Sequence, residues 1–216
     1  GGKSDALMAF LIKGDSTLSP SNPLFHSYVN CPSYRAIVFR QSATDLEEFI
    51  SRCDSIYRQF GATLCGKPAF WEFPTGARIY ANHLSDVAAA EKYRGPSYHR
   101  IGIEELTLLS SRDSFLRIMG SCRSANPEML PQIMSTTNPD GPGSSWVRDR
   151  YVDVYDVRGN LIPAGRQMRD GCTKLTRVFI PSRLSDNPFL QSDKTYLGAL
   201  MSQSDSLRAA WLDGRW

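Results

Sequence analysis

Apolar residues recur along this chain with two different periods, and the alternation between those periods sets out the expected fold. From Thr44 onward, Leu46, Phe49, Ile50, Cys53, Ile56, Tyr57 and Phe60 fall at the three- and four-residue spacing of one helical face. Thr44 and Glu47 have capping-box spacing and Gly61 supplies a stop, so the pattern predicts a helix over residues 44–60. Just before it, the run from Tyr34 to Arg40 has the length and composition of a buried strand. Residues 70–73 and 77–80 flank Pro74-Thr75-Gly76, which predicts a hairpin or two strands around a tight turn. Ile101-Gly102-Ile103 and the run from Gln132 to Ser135 are two more short strands, with a helix expected over residues 113–122. At the start of the chain, Ala6 to Ile12 is an apolar run that reads as another helix. Strands and helices thus alternate to about residue 140, which implies an α/β fold with a mostly parallel sheet flanked by helices.

Beyond Tyr151 the texture changes. Residues 152–157 and 161–162, around Arg158-Gly159-Asn160, predict an exposed hairpin. Residues 177–181 predict a last strand, and residues 194–212 one or two amphipathic helices. The division expected from this change is a core over residues 1–150 and a small second, lid-like subdomain over residues 151–216. Gly141-Pro142-Gly143-Ser144-Ser145 is the most linker-like stretch, though too short for a flexible tether.

Composition narrows the class without choosing a function. With 216 residues, 41% of them hydrophobic, the chain can bury a real core. A net charge of +3 says little about partners, and arginine outnumbers lysine, which suits phosphate recognition. Cys31, Cys53, Cys65, Cys122 and Cys172 are odd in number and contain no C-x-x-C, which argues against a disulfide framework or zinc site and for a reducing interior. His26, His83 and His99 lack ligand spacing. No apolar stretch is long enough to span a membrane, and no signal peptide is visible.

Three short motifs carry chemistry. Gly1-Gly2-Lys3-Ser4, followed by an apolar helix, has the form of the end of a Walker A loop, G-x-x-x-x-G-K-[ST]. In such a loop backbone amides cradle phosphates, the lysine reaches the β/γ oxygens and the hydroxyl holds Mg²⁺. The incomplete loop and the missing initiator methionine suggest a fragment. The second motif is Ile101-Gly102-Ile103-Glu104-Glu105, a short apolar strand ending in two acids, the Walker B arrangement of additional-strand P-loop ATPases. Successive strand residues point to opposite sides, so the two carboxylates take different tasks. Glu104 is the candidate for Mg²⁺, and Glu105 for orienting and deprotonating the attacking water. The third is Ser135-Thr136-Thr137-Asn138-Pro139, a strand running into hydroxyl residues that can place a polar sensor near the γ-phosphate.

With these residues in view, the chain resembles the ATPase domain of the large terminase subunit, the DNA-packaging motor of tailed bacteriophages and prophages. The resemblance runs through Gly2 to Leu7, Tyr34 to Arg40, Tyr93-Arg94-Gly95, Ile101 to Leu106, and Thr136 to Gly143 with Trp146-Val147. It continues through Arg177 to Ser182 with Asp186-Asn187-Pro188, and Leu207 to Gly214. It implies a P-loop NTPase of the additional-strand type, hydrolysing ATP with Mg²⁺ to drive double-stranded DNA into a procapsid. By matching position, Gly2, Lys3, Ser4, Thr136 and Thr137 would bind nucleotide, Ser4 and Glu104 would hold the metal, and Glu105 would be catalytic. Ser135, Thr136 and Thr137 fall on the family's coupling motif, and Arg94 matches a candidate trans-acting finger. Glu104 stands where the family usually has Asp, one methylene shorter, which bears on direct metal coordination. Implied partners are a portal protein, a small terminase subunit and further copies in a homo-oligomeric ring, in the host-cell cytoplasm and without a membrane. The resemblance also implies that the first core strand and adenine-contacting segment would precede Gly1 and that a nuclease domain would follow Trp216. A P-loop nucleic-acid helicase and a non-catalytic terminase remnant are the alternative readings.

Overall fold

The computed structural model of the protein describes residues 2–171 and 173–216, and the side chains of Phe189 and Leu190 are not described. Gly1 of the phosphate-loop motif and Cys172 of the cysteine set lie outside the described residues. The chain forms two compact units, residues 2–137 and residues 138–216.

The first unit is built on a six-stranded sheet: β1 (Arg35–Arg40), β2 (Thr63–Cys65), β3 (Phe70–Glu72), β4 (Arg78–His83), β5 (Arg100–Ile103) and β6 (Gln132–Ser135). Their spatial order is β2-β3-β4-β1-β5-β6. Strands β4, β1, β5 and β6 are mutually parallel, with Ile37 opposite both Tyr80 and Ile101, and Ile101 opposite Ile133. The β3–β4 pair is the expected hairpin, and β2 adds antiparallel beyond it. Strands β1 and β5 are buried almost throughout, as central parallel strands must be when helices cover both faces.

Helix α1 (Lys3–Ile12) follows the expected run and buries Leu7, Met8, Leu11 and Ile12. It lies close to β5 because Gly102 has no side chain. A Cβ there would meet Leu7 Cδ1 at 3.2 Å and Val38 Cγ2 at 3.3 Å. Helix α2 (Ala43–Tyr57) buries Leu46, Phe49, Cys53 and Tyr57, and a 3-10 turn carries the chain on to Phe60. Its start differs from the capping box predicted at Thr44. Ser42 is the N-cap, its Oγ accepting from the Asp45 amide and donating to the Asp45 carboxylate. Both serine and threonine serve as N-caps, and a frame two residues earlier puts Asp45 rather than Glu47 in the first turn. Gly61 ends the segment at φ 77°. Helices α3 (Val87–Glu91) and α4 (Arg112–Met119) complete the unit.

In residues 138–216 the strands are much shorter than predicted. The hairpin expected over residues 152–162 reduces to one bridge, Tyr155 to Leu161. Asp156 folds the turn by accepting from the Arg158 and Asn160 amides. The last strand shrinks to β8 (Thr176–Arg177), paired with β7 (Met168–Arg169). Val157 and Ile180 are exposed rather than buried, so the apolar alternation there has no layer to pack against. Helix α5 (Ser144–Tyr151) starts within the linker-like stretch, and α6 (Pro188–Ser192), α7 (Lys194–Met201) and α8 (Asp205–Asp213) end the chain. Residues 194–212 are therefore two helices. Within this unit Trp211 Nε1 donates to Asp140 Oδ2 at 2.8 Å.

Candidate active site

Four parallel strands end on one edge of the sheet, and the amino end of α1 meets them there. Such carboxyl edges are where open α/β sheets bind ligands. Gly2 takes φ 68°, a conformation glycine adopts without strain, and its carbonyl accepts the first helical bond from the Ala6 amide at 2.9 Å. No side chain caps the first turn of α1. Its amides and the positive end of the helix dipole thus face the edge.

The side chains from α1 reach the strand ends directly. Lys3 Nζ donates to the Thr137 carbonyl at 3.1 Å, just past β6. Ser4 Oγ donates to Glu104 Oε1, just past β5. Glu104 keeps strand pairing, its amide donating to the Phe39 carbonyl at 2.9 Å, and its side chain is only 4% exposed. Glu105 then turns the backbone into the left-handed region, φ 56° and ψ 54°, and its side chain is 39% exposed. The consecutive acids therefore occupy different environments, one buried and one open.

Between them stands a residue that the motifs do not single out. Arg40, the last residue of β1, places Nε 2.7 Å from Glu104 Oε2 and Nη2 3.4 Å from Glu105 Oε2. The Nε–Oε2 contact is an ion pair without hydrogen-bond alignment, so Glu104 Oε2 is buried with no aligned donor. Arg40 Nη1 also donates to the Asp45 carbonyl at 2.6 Å, anchoring the guanidinium to the first turn of α2. A charged residue ending an apolar strand is ordinary in sequence. Only the β1–β5 adjacency shows what Arg40 faces.

Burial raises the Glu104 carboxyl above its usual range, aided by the neighbouring Glu105 charge. The Ser4 hydroxyl and Arg40 oppose that rise.

Beyond β6, the Thr136 amide donates to the Ile103 carbonyl and its own carbonyl accepts from Leu106, both at 2.9 Å. Thr137 Oγ1 lies 2.6 Å from Thr107 Oγ1 and accepts from the Thr107 amide at 3.1 Å. Ser135 Oγ is buried without a hydrogen-bond partner. Gly2, Lys3, Ser4, Glu104, Glu105, Thr136 and Thr137 are thus brought to one edge. Arg94 is not: it lies on the connection from α3 to β5, 72% exposed, with Nε 2.8 Å from Glu91 Oε2. Arg117 pairs with the other oxygen of Glu91. The sequence shows Arg40 only as the end of an apolar strand, with nothing to place it beside Glu104 and Glu105, and it carries no signal for Thr107.

The donor set fits a hard divalent cation. Ser4 Oγ and the buried, incompletely satisfied Glu104 carboxylate offer oxygen donors of the kind such a cation takes, and Mg²⁺ is usually held by one or two carboxylates plus substrate phosphates rather than a full protein cage. Among the described residues no group of three or more His, Cys, Asp or Glu side chains is placed to hold a metal by itself.

No protein-family model matches the chain, and no curated protein matches it. Solved structures do. The large terminase from a thermophilic bacteriophage, in its crystal form 2, superposes with a TM-score of 0.58 at 14% identity, covering 85% of this chain and 41% of that one. The same terminase in complex with ADP, in crystal form 3, gives a TM-score of 0.57 at 14% identity, covering 85% of this chain and 40% of that one. The chain thus spans about two-fifths of the length of these neighbours. At such identity the likeness is one of fold. The first unit is an α/β domain with a mostly parallel mixed sheet flanked by helices, and the chain shares its fold with these large terminases. No helix among the described residues is long and apolar enough to cross a membrane.

Proposed function

We propose that this chain is the ATPase motor domain of a phage or prophage terminase large subunit, coupling ATP hydrolysis to packaging of double-stranded DNA. The observation that carries this is the meeting of Lys3 and Ser4 on α1 with Glu104, Glu105 and Thr137 at the sheet edge. That this occurs on a terminase-like fold, with one neighbour crystallised with ADP, supports nucleotide as the ligand.

In this reading the first amides of α1 and Lys3 bind the phosphates, Lys3 exchanging the Thr137 carbonyl for a phosphate oxygen. Ser4 and Glu104 hold Mg²⁺, which when bound neutralises charge developing on the phosphoryl oxygens. The extra methylene of Glu104 over Asp suits contact through water as well as direct contact. Glu105, more open to solvent, orients the attacking water and accepts its proton. Arg40 keeps the two carboxylates apart in position and charge. Thr136 and Thr137 sense the γ-phosphate and pass the change to the segment that follows.

Arg94 acts in trans, reaching from its exposed pair with Glu91 into a neighbouring subunit's site within a homo-oligomeric ring. Mixed rings of Arg94→Ala and Glu105→Gln subunits should regain part of the activity each lacks; rings as inactive as either parent exclude a trans role. A portal protein and a small terminase subunit are the proposed partners in the host-cell cytoplasm, with DNA held mainly through its phosphates. The test is DNase-protected DNA in portal-bearing procapsids supplied with the full-length protein and ATP. Lys3→Ala should abolish protection. ATP turnover without any protected DNA would overturn the packaging role.

A further inference from the structure

Glu105 has a side chain and yet occupies the left-handed region, which L residues with a Cβ avoid and which persists only where the surroundings over-determine it. Its surroundings are specific. The two amides after it, Leu106 and Thr107, donate to the Thr136 carbonyl and to Thr137 Oγ1, at 2.9 and 3.1 Å. The Leu108 amide closes the turn on the Glu105 carbonyl at 2.9 Å. Thr107 is 1% exposed and its hydroxyl lies 2.6 Å from that of Thr137. Thr137 in turn offers its carbonyl to Lys3 Nζ. One residue is therefore joined through its hydroxyl to the turn that aims Glu105, and through its carbonyl to the phosphate-binding lysine.

We propose that Thr107 is a positioning residue for Glu105, and that its contact with Thr137 carries the state of Lys3 to that carboxylate. The inference rests on the reading of Glu105 as the base. When Lys3 leaves the Thr137 carbonyl for a phosphate, the Thr137 backbone loses a charged partner, and its hydroxyl moves with it. The turn held by Leu106 and Thr107 shifts in response, and Glu105 is re-aimed only when nucleotide is present. A base kept out of line without substrate limits idle proton chemistry.

Thr107→Val keeps the branched shape and the backbone donor but removes the hydroxyl. In the full-length protein it should lower ATP turnover roughly 10- to 100-fold, the size expected of a misplaced catalytic group, with ATP affinity within about twofold. Thr107→Ser should recover most of the loss. In a Glu105→Gln background Thr107→Val should have no further effect, because no base remains to be aimed. A Thr107→Val loss that multiplies fully with Glu105→Gln overturns the positioning role, whereas unchanged turnover in Glu105→Gln alone overturns the reading of Glu105 instead. A measurement on the unaltered protein covers the case where the variants fail to fold. Hydrogen exchange at the Leu106 and Thr107 amides should change when a non-hydrolysable ATP analogue binds, and Lys3→Met should abolish the change. Exchange that ignores the analogue overturns the relay.

Discussion

Arg40 and Glu104 form a buried ion pair across two adjacent parallel strands, with Nε 2.7 Å from Oε2. The other oxygen of Glu104 is met by the neutral Ser4 hydroxyl, so Arg40 is the cation set directly against this carboxylate. Removing one partner of such a pair leaves an uncompensated buried charge, which typically costs about 3–5 kcal/mol. Arg40→Met should accordingly lower unfolding stability by about 3 kcal/mol, part of the penalty being avoided by protonation of Glu104. Arg40→Met with Glu104→Gln should recover much of the loss. Urea denaturation of the two single variants and the double variant completes the cycle. Additive losses would show that the pair contributes nothing.

At the other end of β5, Arg100 ties the same strand to the far end of α1. It is 3% exposed, its Nη1 donates to the Phe10 and Lys13 carbonyls, and its guanidinium lies 4.1 Å from the Tyr28 ring centroid. Those carbonyls are at the negative end of the α1 dipole, which a cation stabilises. Helix α1 is therefore fixed to β5 at both ends, by Ser4–Glu104 and by Arg100. Arg100→Ala should cost on the order of 3 kcal/mol, summing charged hydrogen bonds and the cation–π contact. Arg100→Lys should recover less than half, because one ammonium does not reproduce the planar fork over a ring. Thermal unfolding and amide exchange at Leu11 and Ile12 check both statements.

Acid should weaken the fold through His99. Burial, the largest influence, pushes its imidazole below the ordinary value of 6.5, and its Nδ1 faces the Arg35 amide at 3.1 Å. As pH falls through 6.5 the unfolded chain takes up a proton that the folded chain refuses, so stability drops until the lowered folded value is reached. One such group contributes a slope of up to about 1.4 kcal/mol per pH unit. His99→Gln should flatten the slope of unfolding free energy below pH 6.5. An unchanged slope would assign the acid sensitivity elsewhere.

The residues that make the site legible in the sequence are those whose position along the chain forces their position in space. Lys3 and Ser4 begin an apolar helix, Glu104 and Glu105 end an apolar strand, and both ends of an α/β unit reach the same edge. Arg40 is hidden because strand order is not written in local pattern: β4 and β5 flank β1, although α2, β2 and β3 lie between β1 and β4 in the chain. Thr107 is hidden because the left-handed turn at Glu105 comes from tertiary hydrogen bonds, not from a glycine that would announce it. The short strand Thr63–Cys65 carries too few residues to show a period. In residues 138–216 the pattern misleads in the opposite direction. Alternating apolar residues such as Val157 and Ile180 predict strands, but alternation builds a strand only where a partner and a buried face exist.

The central claim, that this sheet edge hydrolyses ATP with Glu105 as base, is tested most directly by ATP affinity and turnover of Glu105→Gln in the full-length protein. The amide keeps the size and hydrogen-bonding capacity of the side chain and removes only its basicity. ATP should bind within about threefold of the unaltered protein while turnover falls about 10²–10⁴-fold, the usual contribution of a positioned acid–base group. Turnover equal to that of the unaltered protein, with ATP bound as well, would contradict the account.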